Sequence, residues 1–310
     1  MELSNFRACI GRLLRMPIRF SDYTANSLQA SETSLILQGR MLSQQLRNIP
    51  LQSLSDAEFK VFSQFGDDGI IQYLIQNIAI EKEYFIEFGV ADYVESNTRF
   101  LLMNNNWSGL VMDCSSENVQ KIKNSYYYWK HDLIAKHAFV TVANINDLIS
   151  SHVSCQNIGL LHIDVDGNDY WIWDAIHVVE PTIVVMEYNG AWGNSRAITV
   201  PYNEQFDRLQ AHYSNIYYGA SLCALNCLAK KKGYSFIGCN NAGNNAYFVR
   251  STSLNDRIRP VSISNGFVER KFREERDSFG SLTYRKAVES QSALVGLPVF
   301  DVEASAIVPF

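Results

Sequence analysis

IGLLHIDVDGNDYWIWDAI (158–176) joins an apolar run, an acid-rich turn and a helix-spaced segment, and TIVVMEY (182–188) follows as a second apolar run. Two strands separated by one short helix predict a right-handed parallel βαβ crossover. The same unit repeats upstream. YFIEFG (84–89) reads as a strand and ESNTRFLLMNNN (95–106) as its helix. SGLVMD (108–113) leads into the helix SSENVQKIKNS (115–125), started by a serine cap, and HAFVTV (137–142) into a helix at 145–151. The strands are apolar nearly throughout, as expected when helices cover both faces of the sheet.

Downstream the pattern changes. GASLCALNCLAKKKG (219–233) predicts a helix with a basic last turn and a terminating glycine. YSFIGC (234–239), NNAGNN (240–245) and AYFVR (246–250) read as an antiparallel hairpin. The expected fold is therefore α/β, a Rossmann-like doubly wound, mostly parallel seven-stranded sheet closed by a C-terminal antiparallel hairpin. That is the class I methyltransferase arrangement, here with an N-terminal helical extension. The expected organisation is an N-terminal extension (1–55), the sheet domain (56–255) and a C-terminal extension (256–310) packed on the domain or on a partner subunit.

Composition bounds the rest. The 310 residues include 27 Lys+Arg and 32 Asp+Glu, a net charge of −5, and are 47% hydrophobic. This is a globular composition without the basic surface of a nucleic-acid binder. No apolar run is long enough for a membrane helix. Residues 1–50 hold six arginines and three acids, +3, leaving −8 for the remainder. Arg7, Arg12, Arg15 and Arg19 interrupt RACIGRLLRMPIRF (7–20) too often for a signal peptide, so a cytoplasmic location is expected. This basic amphipathic start fits a membrane surface, a partner protein, or a helix packed on its own domain or on a second copy, and ANSLQASETSLILQGRMLSQQLRNIP (25–50) predicts a further helix stopped before Pro50. A homo-oligomer through these N-terminal helices is one expectation. The six cysteines form no C-x-x-C pair; Cys223, Cys227 and Cys239 could be drawn together by zinc, but the default is free thiols packed as small hydrophobes.

In an open α/β sheet, ligands bind beyond the carboxyl ends of the strands. The first strand ends at Glu87-Phe88-Gly89, where glycine lets a backbone approach a ligand and the acid can hold an amino group or hydroxyl. A full G-x-G-x-x-G is absent, which argues against a dinucleotide. Asp113 ends the second strand, where a carboxylate can accept hydrogen bonds from ribose hydroxyls. Asn144, past the third strand, stands where adenine is met in such sheets, or simply caps the next helix. Together with the closing hairpin these features favour S-adenosylmethionine. The fourth strand runs into Asp164, Asp166, Asn168 and Asp169, and the fifth into Glu187 and Asn189. Hard oxygen ligands on adjacent strand ends suit Mg²⁺, with Asp164, Asp166, Glu187 and Asn189 as the candidate set; the alternative is that Asp166 and Asp169 only turn the chain and cap a helix. His162, mid-strand, is expected to be a buried hydrogen-bonded histidine. The segment 189–218, with Tyr202 and His212, is expected to overhang the pocket.

VFSQFGDDGIIQYLI (61–75), FIEFGVADYVESNTRFLLMNNNWSGLVMD (85–113), LLHIDVDGNDYWIWDAI (160–176), IVVMEYN (183–189) and residues 219–250 together resemble the FkbM-type methyltransferases, as does FREERDSFGSLTY (272–284). The resemblance implies an S-adenosylmethionine-dependent O-methyltransferase acting on a hydroxyl of a sugar, or of a surface-polysaccharide or natural-product precursor. It implies that Glu87 and Gly89 form the cofactor's first turn, that Asp113 holds the ribose, and that Asn144 neighbours the adenine. It also places Gln64, Gly66 and Asp68 near the methionine end. Related O-methyltransferases imply Mg²⁺ between Asp164 and Glu187 as the catalytic pair. Val90-Ala91-Asp92 departs from the family's glycine-rich turn. Two other functions remain open on the residues alone: a metal-dependent hydrolase or phosphotransferase built on Asp164–Asp169, and a non-catalytic partner subunit.

Overall fold

The computed structural model describes residues 29–310, so the arginine-rich stretch 7–20 and Cys9 lie outside the described residues. Helix α1 (29–46) precedes α2 (Asp67–Asn77), and the alternating region then gives β1 (Tyr84–Phe88), α3 (Arg99–Asn105), β2 (Ser108–Asp113), α4 (Ser116–Lys123), β3 (Leu133–His137), α5 (Ile145–Ser150), β4 (Asn157–Ile163), α6 (Asp169–Ala175) and β5 (Glu180–Glu187). A short strand β6 (Ile198–Thr199) and helix α7 (Arg208–Ala211) lead to α8 (Leu222–Lys231), β7 (Tyr234–Cys239) and β8 (Asn245–Arg250). Strands β9 (Pro298–Asp301) and β10 (Ala306–Pro309) end the chain.

The main sheet has the order β3-β2-β1-β4-β5-β8-β7, with β8 antiparallel to β5 and to β7 and every other pair parallel. This is the seven-stranded, hairpin-closed sheet of the class I methyltransferase fold. Alternate strand residues feed two apolar layers. Ile86, Phe88, Leu161, Ile163, Val184 and Met186 pack under α5, α6 and α8, while Phe85, Val111, Leu160, Ile183 and Val185 pack under α2, α3 and α4. Glu87, Asp113, His162, Glu187 and Asn245 share the parity of the second layer and are polar residues in it. Local signals set the helix starts: Ser115 accepts a hydrogen bond from the Asn118 amide and Ser221 from that of Ala224.

Two elements differ from the sequence expectation. The third strand is Leu133–His137, not 137–142. As the edge strand it is amphipathic, with Leu133 and Ala135 buried and Lys136 and His137 exposed, so it lacks the continuous apolar run of its neighbours. The more apolar residues 138–142 lie beyond the carboxyl end of the sheet and form the turn into α5. Helix α3 starts at Arg99, not 95, because Ser96, Asn97 and Thr98 are held by Glu87 in a non-helical loop.

The extensions are tied to this core. The N-terminal helix α1 approaches α3 closely enough that a Cβ at Gly39 would meet Val61 and Phe100, and its Glu32 pairs with buried Arg99 at 2.8 Å. At the other end, β9 joins β6 and β10 in a second, three-stranded sheet over Trp192, Ile216 and Leu294. Among the described residues no helix is long and apolar enough to cross a membrane. Trp173 on α6 is 1% exposed and its ring lies 5.3 Å from Phe248 and 5.9 Å from Tyr234. Trp173→Ala should lower the unfolding free energy by about 3–5 kcal/mol, read from urea denaturation; a loss below about 1 kcal/mol would contradict this packing.

Candidate active site

The carboxyl ends of β1, β4 and β5 meet at a polar cavity of about 260 Å³. Asp164 and Asp166 come from the β4 end and Glu187 from the β5 end, and each offers an oxygen within 4.8 Å of the others'. Oε2 of Glu187 is buried and has no hydrogen-bond partner. Burial, reinforced by Asp164, Asp166 and Asp169, raises the Glu187 carboxyl well above its usual range; burial and Asp166 raise Asp164 to about 7. Such crowding is costly without a positive charge, and an orphaned carboxylate oxygen beside two further acids fits a divalent cation. Asp169 does different work. Its carboxylate accepts the amides of Val165 and Gly167 and turns the chain into α6.

The β1 end is organised from below by Glu87. Its carboxylate accepts from the Ser96 hydroxyl, the Asn97 and Thr98 amides, the Thr98 hydroxyl and the His162 ring, the last at 2.8 Å. Glu87 and His162 are register partners on β1 and β4, and Asn97 reaches the other ring nitrogen at 3.1 Å. Burial disfavours both charges, but each partner's hydrogen bond and charge outweigh it. Glu87 is held below the usual carboxylate range and His162 above the ordinary imidazole value. All of this leaves Glu87 building the loop that follows β1, with Gly89 facing the cavity. Gly89 has φ +72°, and a Cβ there would lie 1.7 Å from the Asp164 carbonyl oxygen, so only glycine allows the two loops to meet. Ala91, two residues further on in the same turn, also adopts a positive φ, +47°.

Asp113 stands at the β2 end and accepts from the amides of Ala91 and Ser115, both at 2.8 Å, and from the Asn118 amide group. A carboxylate has about four acceptor sites, so roughly one remains for a ligand hydroxyl. Gln64 lines the cavity, whereas Gly66 packs against Glu58 at the start of α2. Oδ2 of Asp68 is saturated by the amides of Val61, Phe62 and Ser63 and the Ser63 hydroxyl. It shapes the loop that carries Gln64. Asn144 does not cap α5 with its side chain; it bridges the Thr141 amide and the Phe139 carbonyl. Asn189 is fully buried, with its side chain engaged by the Ile216 and Tyr218 carbonyls and the Ala191 amide. The structure therefore brings Gln64, Gly89, Asp164, Asp166 and Glu187 to one cavity and leaves Asn189 as a brace around it, while Asp68 braces the loop through Oδ2 and keeps Oδ1 buried without a partner.

Several cavity residues escape the sequence reading. Arg208, Asn244, Phe272 and Glu274 line the same space. Arg208 pairs with Asp166 at 3.2 Å and with Glu274, and its guanidinium lies 3.7 Å from the Tyr218 ring centroid. Phe272 stacks on Phe65, centroids 6.0 Å apart. The C-terminal segment is locked by buried Glu275, which accepts from Ser290 and Thr283. A larger outer cavity of about 820 Å³, over Cys114 and Phe139 at the β2 and β3 ends, shares Asp166, Arg208 and Glu274 with the inner one. Residues 205–209 and Asn215, from the segment expected to overhang the pocket, line it together with Glu274, Arg276 and Leu282 of the C-terminal extension, whereas Tyr202 and His212 do not. A long ligand could run from Phe139 to Gly89 beneath Arg208. Glu87→Ala would strand the His162 ring and four loop donors and should cost about 3–5 kcal/mol of stability, measurable as a fall in denaturation midpoint; an unchanged midpoint would contradict the hub role.

No family model matches the chain, and no curated protein matches it in sequence. Solved structures similar to it include an S-adenosylmethionine-dependent methyltransferase from Clostridium acetobutylicum ATCC 824, at TM-score 0.36 and 9% identity over 59% of this chain and 89% of that one. An O-methyltransferase from Bacillus cereus in complex with SAH matches at TM-score 0.39 and 11% identity, over 69% and 89%. The N-terminal domain of EvdMO1, in the presence of SAH and D-fucose, matches at TM-score 0.38 and 10% identity, over 71% and 97%. The fold assignment rests on the strand order itself and not on these likenesses.

Proposed function

We propose that the chain is an S-adenosylmethionine-dependent O-methyltransferase of the FkbM type, acting with Mg²⁺ on a hydroxyl of a sugar or of a glycan or natural-product precursor. The observation that carries this reading is the acid cluster Asp164, Asp166 and Glu187, with its orphaned Glu187 oxygen, set directly beside the Gly89 turn on a hairpin-closed sheet. The cofactor supplies a methyl group already activated on a sulfonium, so the protein's task is orientation and deprotonation. Mg²⁺ would be held by Asp164, Asp166 and Glu187, where it lowers the pKa of an acceptor hydroxyl.

The chain's own groups divide along the cleft. Gly89 opens the space for the methionine end, and the free acceptor site of Asp113 takes one ribose hydroxyl. The outer cavity at Phe139, which Asn144 steadies through its carbonyl, takes the adenine. Gln64, Asn244 and Glu274 offer hydrogen bonds to acceptor hydroxyls, and the Phe65–Phe272 pair offers an apolar wall. Polar groups interleaved with ring faces suit a sugar better than a flat aromatic phenol. Arg208 balances the acids and holds the C-terminal segment over them.

Calorimetric titration of S-adenosylhomocysteine with and without Mg²⁺ tests this. The wild type should bind in the micromolar range. Asp113→Asn should weaken binding about tenfold or more, the value of one charge-assisted hydrogen bond. Glu187→Gln should leave that affinity within about threefold but abolish Mg²⁺-dependent methyl transfer to sugar acceptors. No binding by the wild type, with chelator-sensitive turnover of phosphoesters instead, would overturn the proposal in favour of a metal-dependent hydrolase or phosphotransferase.

A further inference from the structure

Helix α3 opens on a residue that its position disfavours. Arg99 is the first residue of the helix, where a cation meets the positive end of the helix dipole. Its side chain is only 3% exposed, and its Nε is buried without a partner. A buried ion pair returns little net stability, so stability alone does not account for this arginine. Its contacts do. The guanidinium lies between two rings, 4.1 Å from the Phe62 centroid and 4.6 Å from that of Tyr127. Nη1 donates to the Val94 carbonyl at 3.2 Å, and Nη2 donates to both Glu32 oxygens at 2.8 and 2.9 Å.

These partners belong to the two loops of the cavity wall. Val94 lies in the 89–98 loop, which starts at Gly89 and is held to Asp113 through the Ala91 amide. Phe62 lies in the 61–66 loop, which carries the cavity residues Gln64 and Phe65. The Ser96 amide joins the loops by donating to the Phe62 carbonyl at 3.0 Å. Lys60 and Glu95 also pair across them, but both are about half exposed, and such pairs contribute little. Arg99 is thus the buried side-chain tie. Its counter-charge comes from the N-terminal helix. Glu32 on α1 is the one acid paired with Arg99 among the described residues, and it also accepts from the Tyr126 hydroxyl.

We propose that Arg99 is a positioning residue that holds both cavity loops in the shape that receives the cofactor, with Glu32 making α1 part of that support. The inference rests on S-adenosylmethionine being the cofactor. Loops that are already joined lose little freedom when a ligand enters, whereas loops cut apart must be ordered at the expense of affinity. Helix α1 lines no part of the inner cavity, yet it sets cofactor affinity through Arg99.

Calorimetric titration of S-adenosylhomocysteine, thermal melts and amide exchange on the full chain test this. Arg99→Met and Glu32→Gln should each lower the melting temperature, because each leaves a charge unpaired; the double variant removes both charges and should regain most of the loss. If the pair were only structural, binding would return with stability. Positioning predicts instead that Arg99→Met and the double variant both bind about tenfold more weakly, as loops assembled about a tenth of the time would. The Ser96 amide should exchange faster in both, with no ligand present. Arg99→Lys keeps the charge but lacks the fork that reaches Glu32 and Val94 together, so it should keep the fold and still bind more weakly. A double variant or Arg99→Lys that melts like the wild type and binds within about threefold of it would overturn the proposal. So would unchanged exchange at Ser96 in Arg99→Met. A wild type that binds no S-adenosylhomocysteine is a different result: it overturns the proposed function, and this inference with it.

Discussion

The buried Glu87–His162 pair is the contact on which the site depends. It joins the central parallel strands β1 and β4 at the point where the strand order reverses, and its spare acceptor sites hold the Ser96–Thr98 loop. An ion pair in this position costs desolvation and returns little net stability. What it provides is placement: Gly89, two residues beyond Glu87, and Asp164, two beyond His162, are carried into contact at a spacing only glycine permits. The separate pairing of β4 with β5, which sets Ile163 opposite Met186, then brings Asp164 beside Glu187.

That crowding is balanced from outside the sheet. Arg208, between β6 and α8, and Glu274, in the C-terminal extension, meet over Asp166 and divide one cleft into an inner acid cavity and an outer apolar one. The extension is held by Glu275 and Arg270, both buried and joined through Ser290. The tail is consequently part of the cavity wall, and a change in its packing would reach the acids through Arg208.

Most of the sheet was legible because buried parallel strands are continuous apolar runs. The run 108–113 matches β2 and the hairpin strand 234–239 matches β7, end to end. The edge strand was misplaced because exposure gives it an alternating pattern that looks weaker than the apolar turn after it. Asp113, Gly89 and the acids could be found because they follow strands in sequence. Arg208 and Glu274 could not, since Arg208 lies 42 residues from Asp166 and Glu274 lies 66 from Arg208, and no local spacing encodes such a meeting. The role of Asn189 as a brace was likewise hidden, because a buried polar side chain and a ligand-facing one read the same in sequence.

The most direct test is a crystal structure with S-adenosylhomocysteine and Mn²⁺ bound together. The account predicts an anomalous peak about 2.1 Å from oxygens of Asp164, Asp166 and Glu187, with the thioether sulfur beside Gly89 and the adenine near Phe139. A peak at another set of ligands, or a filled cleft with no metal between these acids, would contradict it.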